Sequence, residues 1–255
     1  MQMTSTNPAS TLTDDHVREY FDRGYAIVPD FFTQSEVNLM RGVSDRAVAD
    51  IDRRIDEGDP TVPDINHKGS RYFVPYAHMN YPELRPVALG SKMAHLNRRI
   101  LGPTTYLFLD QFVVKAAEKG MKFAWHQDAG FITHRVVRPY LTCWIPLDDV
   151  TVENGTVYVL PYDRAGTRDL IPHKREERSN DMVGYTGDDP GDPVEVRAGS
   201  LVFFSAYTLH RSGPNTTDRA RRVYLLQYAA ELITGPDGSP LHPETPFLVN
   251  GTAAD

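Results

Sequence analysis

Two side chains able to bind a metal stand one residue apart in the run Trp125-His126-Gln127-Asp128. On an extended segment successive side chains alternate, so His126 and Asp128 point to the same face. An imidazole and a carboxylate joined by a second imidazole leave open positions on a six-coordinate ion. That is the two-histidine, one-carboxylate pattern of non-heme iron(II) sites that activate oxygen. A closed cage of thiolates would leave no such room, and the chain has one cysteine. Taken alone a His-x-Asp run is weak, because the chain offers 9 histidines and most histidines in globular proteins hold no metal. His210 can supply the second imidazole. It follows the apolar run Leu201-Val202-Phe203-Phe204-Ser205-Ala206-Tyr207, which places it at the end of a buried strand.

The second feature is Arg221, at the start of the strand-like run Arg221-Arg222-Val223-Tyr224-Leu225-Leu226-Gln227-Tyr228. Alternation sets Arg221, Val223, Leu225 and Gln227 on one face. A guanidinium turned inward needs an anion, since a buried charge without a partner is prohibitive. Its planar fork suits a carboxylate bidentately, such as the far end of 2-oxoglutarate, whose 2-oxo acid end can chelate iron. The alternative is that Arg221 is exposed, like Arg219 and Arg222 beside it.

The elements that must position these residues change character along the chain. Thr13 reads as an N-cap with Leu12 and Val17 as a hydrophobic staple, and Gly24 stops the helix. Tyr25-Ala26-Ile27-Val28 reads as a strand. Thr33-Gln34-Ser35-Glu36 is a capping box, opening a helix through Leu39, Met40, Val43 and Val48. The polar stretch from Arg53 to Ser70, broken by Pro60 and Pro63, reads as a loop, and a further helix is expected over 89–100. From Tyr106 the period becomes extended, with strands expected at 105–115, 122–127, 138–147, 155–160, 194–197, 201–206 and 221–230. The pattern predicts a single domain over 1–255, mainly β with N-terminal α-helices. Residues 12–104 form the helical part and 105–232 a sandwich core. A charged insertion at 163–193 reads as an active-site lid or a long surface loop, and a tail over 235–255 is expected to lie on the surface.

Composition narrows the function. A hydrophobic fraction of 40% and a charged fraction of 24% are ordinary for a soluble globular protein. A net charge of −7 argues against nucleic acid and anionic membrane surfaces as partners. No apolar stretch is long enough for a membrane helix, and the polar start lacks an apolar signal region, so a cytoplasmic location is expected. Cys143, inside the run Tyr140-Leu141-Thr142-Cys143-Trp144-Ile145, reads as a buried packing thiol.

Together these blocks resemble the phytanoyl-CoA dioxygenase family of iron(II)/2-oxoglutarate oxygenases over about residues 12–232. The resemblance rests on Phe21-Asp22-Arg23-Gly24-Tyr25-Ala26-Ile27-Val28-Pro29-Asp30-Phe31-Phe32, on Asp110-Gln111-Phe112-Val113-Val114-Lys115 and on Trp125-His126-Gln127-Asp128. It continues through Trp144-Ile145-Pro146-Leu147-Asp148-Asp149 to Asn154-Gly155, then Gly199-Ser200-Leu201-Val202-Phe203-Phe204, His210-Arg211-Ser212-Gly213-Pro214-Asn215 and Arg221. Three places depart from the family: Pro161-Tyr162-Asp163-Arg164, where Pro-Gly-Ser-His is frequent; Ala116-Ala117, where proline is common; and Arg211, where a small residue is common.

The resemblance implies a double-stranded β-helix (jelly-roll, cupin-like) core, with iron(II) held by His126, Asp128 and His210. It implies that Arg221 pairs with the distal carboxylate of 2-oxoglutarate, helped by Ser212, and that Lys115, Gln111 and Trp144 contact the cosubstrate. The implied activity consumes O2 and 2-oxoglutarate, with ascorbate as reductant in vitro, and hydroxylates a C–H bond of a small molecule. Retention of Asp128 argues against halogenation. Desaturation, epoxidation and ring formation would use the same residues. A non-catalytic jelly-roll that binds a small acid, or a zinc hydrolase, would turn over no 2-oxoglutarate. The expected substrate pocket comprises Phe131, Ile132 and His134 after the metal run, Phe204 and Tyr207 before His210, and Arg71, Tyr72 and Phe73 from the N-terminal part.

Overall fold

The computed structural model describes residues 10–117, 122–132, 138–176, 182–235, 237–243 and 245–254. The first two helices start where their caps place them. Thr13 accepts from the His16 N–H to open α1 (Asp14–Arg23), and Thr33 and Glu36 close the capping box of α2 (Gln34–Asp56). Gly24 ends α1 at φ 89°, where an added Cβ would meet Thr208 and Tyr162 at 2.7 Å. Helix α2 outlasts the expected loop boundary at Arg53. Ion pairs from Arg53 to Asp50 and Glu57 knit its last exposed turns, and Ile51 is buried beneath them. Short turns α3 (Ala77–Asn80) and α4 (Arg85–Ala88) lead into α5 (Ser91–Ile100), and α6 (Tyr162–Ala165) is a single turn.

The strands are β1 (Tyr25–Val28), β2 (Arg71–Pro75), β3 (Thr105–Lys115), β4 (Phe123–His126), β5 (Leu141–Pro146), β6 (Val157–Leu160) and β7 (Lys174–Arg175). They continue with β8 (Met182–Val183), β9 (Asp192–Pro193), β10 (Leu201–Ser205), β11 (Leu209–Ser212), β12 (Arg221–Ala229), β13 (Thr245–Val249) and β14 (Thr252–Ala253). An 8-stranded antiparallel sheet runs β1-β10-β5-β12-β3-β13-β14 with β2 also on β3, and a 4-stranded sheet runs β4-β11-β6-β9. Two facing antiparallel sheets are the expected jelly-roll.

The large sheet is buried on both sides, which explains its near-continuous apolar strands. One side packs on the helices: Phe112, Val114, Cys143, Ile145, Phe203, Tyr224 and Leu226 meet Met40, Val43 and Ala47 of α2 in one cluster. The Cys143 thiol lies there, fully buried, as its apolar run suggested. The other side faces the small sheet, so Trp144, Val202, Phe204 and Val223 pack on Val157 and Val159. Burial of several such side chains, each contributing roughly 1.5–3 kcal/mol, holds the sheets at the spacing the site needs.

Three elements go beyond the expected pattern or depart from it. Arg71–Pro75 forms edge strand β2, in register with β3 from Arg71 opposite Lys115 to Pro75 opposite Gln111. The run expected at 194–197 pairs earlier, as β9, and then only through a bridge between Val196 and Val150. The tail does not merely coat the surface: β13 adds to β3 and buries Phe247 and Leu248.

The largest correction concerns His210. It is not at the end of the Leu201–Tyr207 run. The chain turns after Ser205, whose N–H donates to the carbonyl of Gly24, while the Ala206 N–H donates to the carbonyl of Tyr140. His210 then begins afresh on β11 in the opposite sheet, directly across from His126.

Candidate active site

His126 at the end of β4 and His210 on β11 are cross-strand partners, and their rings lie 4.2 Å apart between centroids. Asp128 does not continue the strand. It begins a 3₁₀ turn through Phe131, which swings its carboxylate back beside the imidazoles. Oδ1 comes to 3.4 Å from His210 Nε2 and 3.9 Å from His126 Nε2. Ligand atoms of all three residues lie within 4.8 Å of one another.

The surroundings leave the three donor atoms to face one another. His126 Nδ1–H donates to the carbonyl of Ala124 at 2.7 Å, and His210 Nδ1–H to that of Thr208 at 3.0 Å. Each bond selects the tautomer with an Nε2 lone pair directed inward. On the carboxylate, Oδ2 accepts from the Thr142 hydroxyl at 2.6 Å and the Gln227 amide at 3.1 Å, leaving Oδ1 for an ion.

Charge follows from burial. Desolvation, with His210 alongside, holds His126 down at about 3, so it is neutral at physiological pH. Burial opposes the Asp128 charge, yet His210, His126 and Thr142 prevail and hold it down at about 2. Burial also opposes a charged His210, but the Asp128 carboxylate outweighs it and raises the imidazole. A proton on His210 Nε2 therefore competes for the space an ion would take. Metal uptake must expel that proton, so affinity should fall as pH drops.

Thr142 and Gln227 were missed as orienting groups, although both left a trace. Thr142 interrupts an apolar run, and Gln227 shares the inward face with Arg221. Thr142→Val is expected to lower metal affinity by roughly 10–100-fold, the usual cost of losing an outer partner of a ligand. Titration with Mn(II) measures it, and wild-type affinity would rule out the orienting role.

Deeper between the sheets, Arg221 is 2% exposed and opposite Lys115 in the register of β12 on β3. Its Nη2 donates to the carbonyl of Gly155 at 2.9 Å, but Nε and Nη1 are buried without partners. Unpaired N–H groups in a buried cation are costly unless an anion completes them. Nε and Nη1 flank Nη2 on the two edges of the guanidinium, and either edge is a fork that a carboxylate fits. Trp144 closes one side, its ring 5.7 Å from the guanidinium. The Lys115 ammonium donates to Ser212 Oγ at 2.8 Å and to the carbonyl of Gly213. Burial, together with the nearby Arg221 charge, lowers Lys115 to about 6. Gly155 sits at φ 82° with its Cα against Gly213 and Pro214, where a Cβ would come within 2.7 Å of the Gly213 carbonyl. Asn215, another residue sequence reasoning missed, donates to the carbonyls of Lys115, Ala116 and Arg219 and so fastens the end of β3 to the start of β12.

The remaining expected residues divide. Gln111 shares the inward face of β3 with Lys115 and lies opposite Leu225. Phe204 packs its ring 4.7 Å from His210, and Phe131, 51% exposed, sets its ring edge-to-face 5.2 Å from His126. Ile132 and Tyr207 pack with Leu109 around Phe108, Ala129 and Tyr140. Phe73 meets Phe123 edge-to-face at 5.8 Å, on the side of β2 shared with Arg71. Arg71 donates to the carbonyl of Ile65 and contacts His67. Tyr72 is not brought to the site. By alternation it lies on the helix side, donating its hydroxyl to Asp52 of α2. His134 lies outside the described residues. Of the departures from the family pattern, Tyr162–Ala165 forms α6, and Arg211 stacks over the Tyr158 and Trp125 rings at 3.8 and 5.2 Å.

Fold and side chains define a jelly-roll with a two-histidine, one-carboxylate centre and a buried arginine with unpaired N–H groups, the makings of a non-heme metal oxygenase. The profile of the phytanoyl-CoA dioxygenase (PhyH) family matches residues 20–223, and the chain belongs to that family of iron(II)/2-oxoglutarate-dependent dioxygenases. It is 26% identical over 224 residues to the methylphosphonate hydroxylase of Gimesia maris, covering 87% of this chain and 82% of that protein. The fold is shared with the 2-oxoglutarate-dependent carbocyclase SnoK from nogalamycin biosynthesis, at a TM-score of 0.71 and 23% identity, covering 95% of this chain and 99% of that one. EvdO2 from Micromonospora carbonacea var. aurantiaca, solved with 2-oxoglutarate, superposes with a TM-score of 0.71 at 23% identity over 91% of this chain and 97% of its own. Among the described residues, no helix is long and apolar enough to cross a membrane.

Proposed function

We propose that the protein hydroxylates a C–H bond of a small molecule, with His126, Asp128 and His210 holding Fe(II) and Arg221 anchoring 2-oxoglutarate. The reading is carried by one observation: three donor atoms lie within 4.8 Å of one another on one side of the sandwich, and the opposite sheet buries a guanidinium with two unpaired N–H groups. Bound iron with 2-oxoglutarate supplies activation of O2 coupled to decarboxylation of the cosubstrate to succinate. The residues do the rest. Arg221, with Lys115 and Ser212 beside it, fixes the far carboxylate and so sets which way the 2-oxo acid end approaches the triad. Thr142 and Gln227 keep Asp128 from rotating. Trp144, Phe204 and Val223 keep water from the anchor, which strengthens the charge pairing. Methylphosphonate hydroxylation and carbocyclisation, the activities named for the two relatives above, are both compatible with this arrangement, and small-molecule chemistry is common to them.

Succinate formation from 2-oxoglutarate by the purified chain with Fe(II) and ascorbate tests the class, and none would refute it. A screen of metabolite pools for substrate-dependent addition of one oxygen identifies the substrate.

The lysine adds a signature of its own. Lys115 is lowered to about 6, so near pH 7.5 it is mostly neutral, and a carboxylate arriving beside it favours the charged form. Binding of 2-oxoglutarate should therefore take up a proton between pH 6.5 and 8. Calorimetry on metal-loaded protein in buffers of different ionisation enthalpy would reveal it. An enthalpy independent of buffer would remove Lys115 from the anchor.

A further inference from the structure

The residue between the two ligands of the His-x-Asp run turns away from the metal. Gln127 is fully buried, and its amide is saturated. Oε1 accepts the N–H of Ile171 at 2.9 Å, while Nε2 donates to the carbonyls of Asp169 at 2.9 Å and Tyr207 at 2.6 Å. Its backbone N–H donates to His173 Nε2 at 2.9 Å, and His173 Nδ1–H donates to the carbonyl of Ile171 at 2.8 Å. The His173 ring is wedged between Gly130 and Gly184, where an added Cβ would come within 2.6 and 2.5 Å of it. Strap 169–173 of the insertion is thus tied to the metal run by side chains. Gly184 makes a further tie, from its N–H to the carbonyl of Trp125 at 2.8 Å.

We propose that Gln127 is a positioning residue that clasps strap 169–173 to both halves of the metal site, so that metal loading and strap order are coupled. The proposal rests on the triad being the metal site. The carbonyl of Tyr207 belongs to the turn whose next residue, Thr208, holds His210 Nδ1. One amide therefore spans the His126–Asp128 run, the approach to His210, and the strap. An ion shared by the triad holds 126–128 and 207–210 at the spacing at which this amide reaches all its partners. If the triad loosens, the amide loses partners in a site closed to water, and the strap lifts. Reciprocity follows from linkage: whatever factor metal adds to strap order, the clasped strap adds to metal affinity. The exposed side chains of Asp169 and Leu170 are then carried on a fixed strap rather than a loose loop.

The test is hydrogen exchange, read by mass spectrometry on peptides covering 169–173 in the full chain, metal-free and with Mn(II) plus 2-oxoglutarate. In wild type, metal should slow exchange there by about tenfold or more. Gln127→Leu should exchange fast in both states and bind Mn(II) more weakly by the factor lost from the strap. Gln127→Glu keeps an acceptor for Ile171 but no donor for Tyr207, and should respond to metal only partly. His173→Ala leaves the amide in place, so it should raise baseline exchange yet keep the metal response. This variant, on the strap and outside the ligand set, carries the test with Gln127→Glu if the leucine variant does not fold. Mn(II) binding with unchanged strap exchange in wild type would overturn the coupling, as would a full metal response in Gln127→Leu. Failure of wild type to bind Mn(II) would overturn the metal reading itself, and the coupling with it.

Discussion

Asp128→Ala is expected to abolish succinate formation while the chain stays folded. Asp128 is the one anionic donor of the triad, and its Oδ1 is the atom both Nε2 groups face. Losing it should cost more than the 10–100-fold typical of an outer partner, so a fall of more than about 100-fold in turnover and in Mn(II) affinity is expected. The fold should survive, because the carboxylate closes no apolar contact. Besides the two imidazoles, its removal frees the Thr142 hydroxyl and the Gln227 amide, which already bond each other at 3.2 Å. The metal-free variant should also show His210 titrating lower than in wild type, since Asp128 is what raises it. Near-normal turnover would remove Asp128 from the ligand set.

Arg221→Met is expected to raise the 2-oxoglutarate requirement far more than it lowers the maximal rate. Truncating one partner of a buried, hydrogen-bonded charge pair costs about 2–5 kcal/mol, or roughly 30- to 5,000-fold in affinity. The same substitution should leave the ligand-free protein as stable as wild type, or more so. In the wild type, Nε and Nη1 are buried without partners, and burial lowers the guanidinium to about 10. The variant removes that uncompensated charge and keeps most of its volume. Thermal melts should therefore show an unchanged or raised midpoint without ligand and the loss of stabilisation by 2-oxoglutarate. A melt that falls without ligand, together with an unchanged cosubstrate requirement, would make Arg221 a structural residue.

Much of this was legible in linear order. Caps at Thr13 and Thr33, period-two strands from residue 105, the His-x-Asp run and an arginine opening a strand are local patterns. Local sterics and alternation impose them wherever they occur. What escaped was whatever needed a partner far along the chain. β2 and β13 pair along the one edge of β3 that β12 leaves open, and Phe247 is buried where β13 joins it.

By itself, then, the order of residues determined which side chains could bind a metal and an anion, and that two sheets would carry them. Tertiary structure decided how they meet. An apolar run reads as one strand, but a turn closed by the Thr208 N–H on the carbonyl of Ser205 ends it and delivers His210 to the opposite sheet. Likewise, the hydrogen bonds of Thr142, Gln227 and Gln127 join segments far apart in sequence. Those bonds depend on distances in space, which a one-dimensional pattern does not contain.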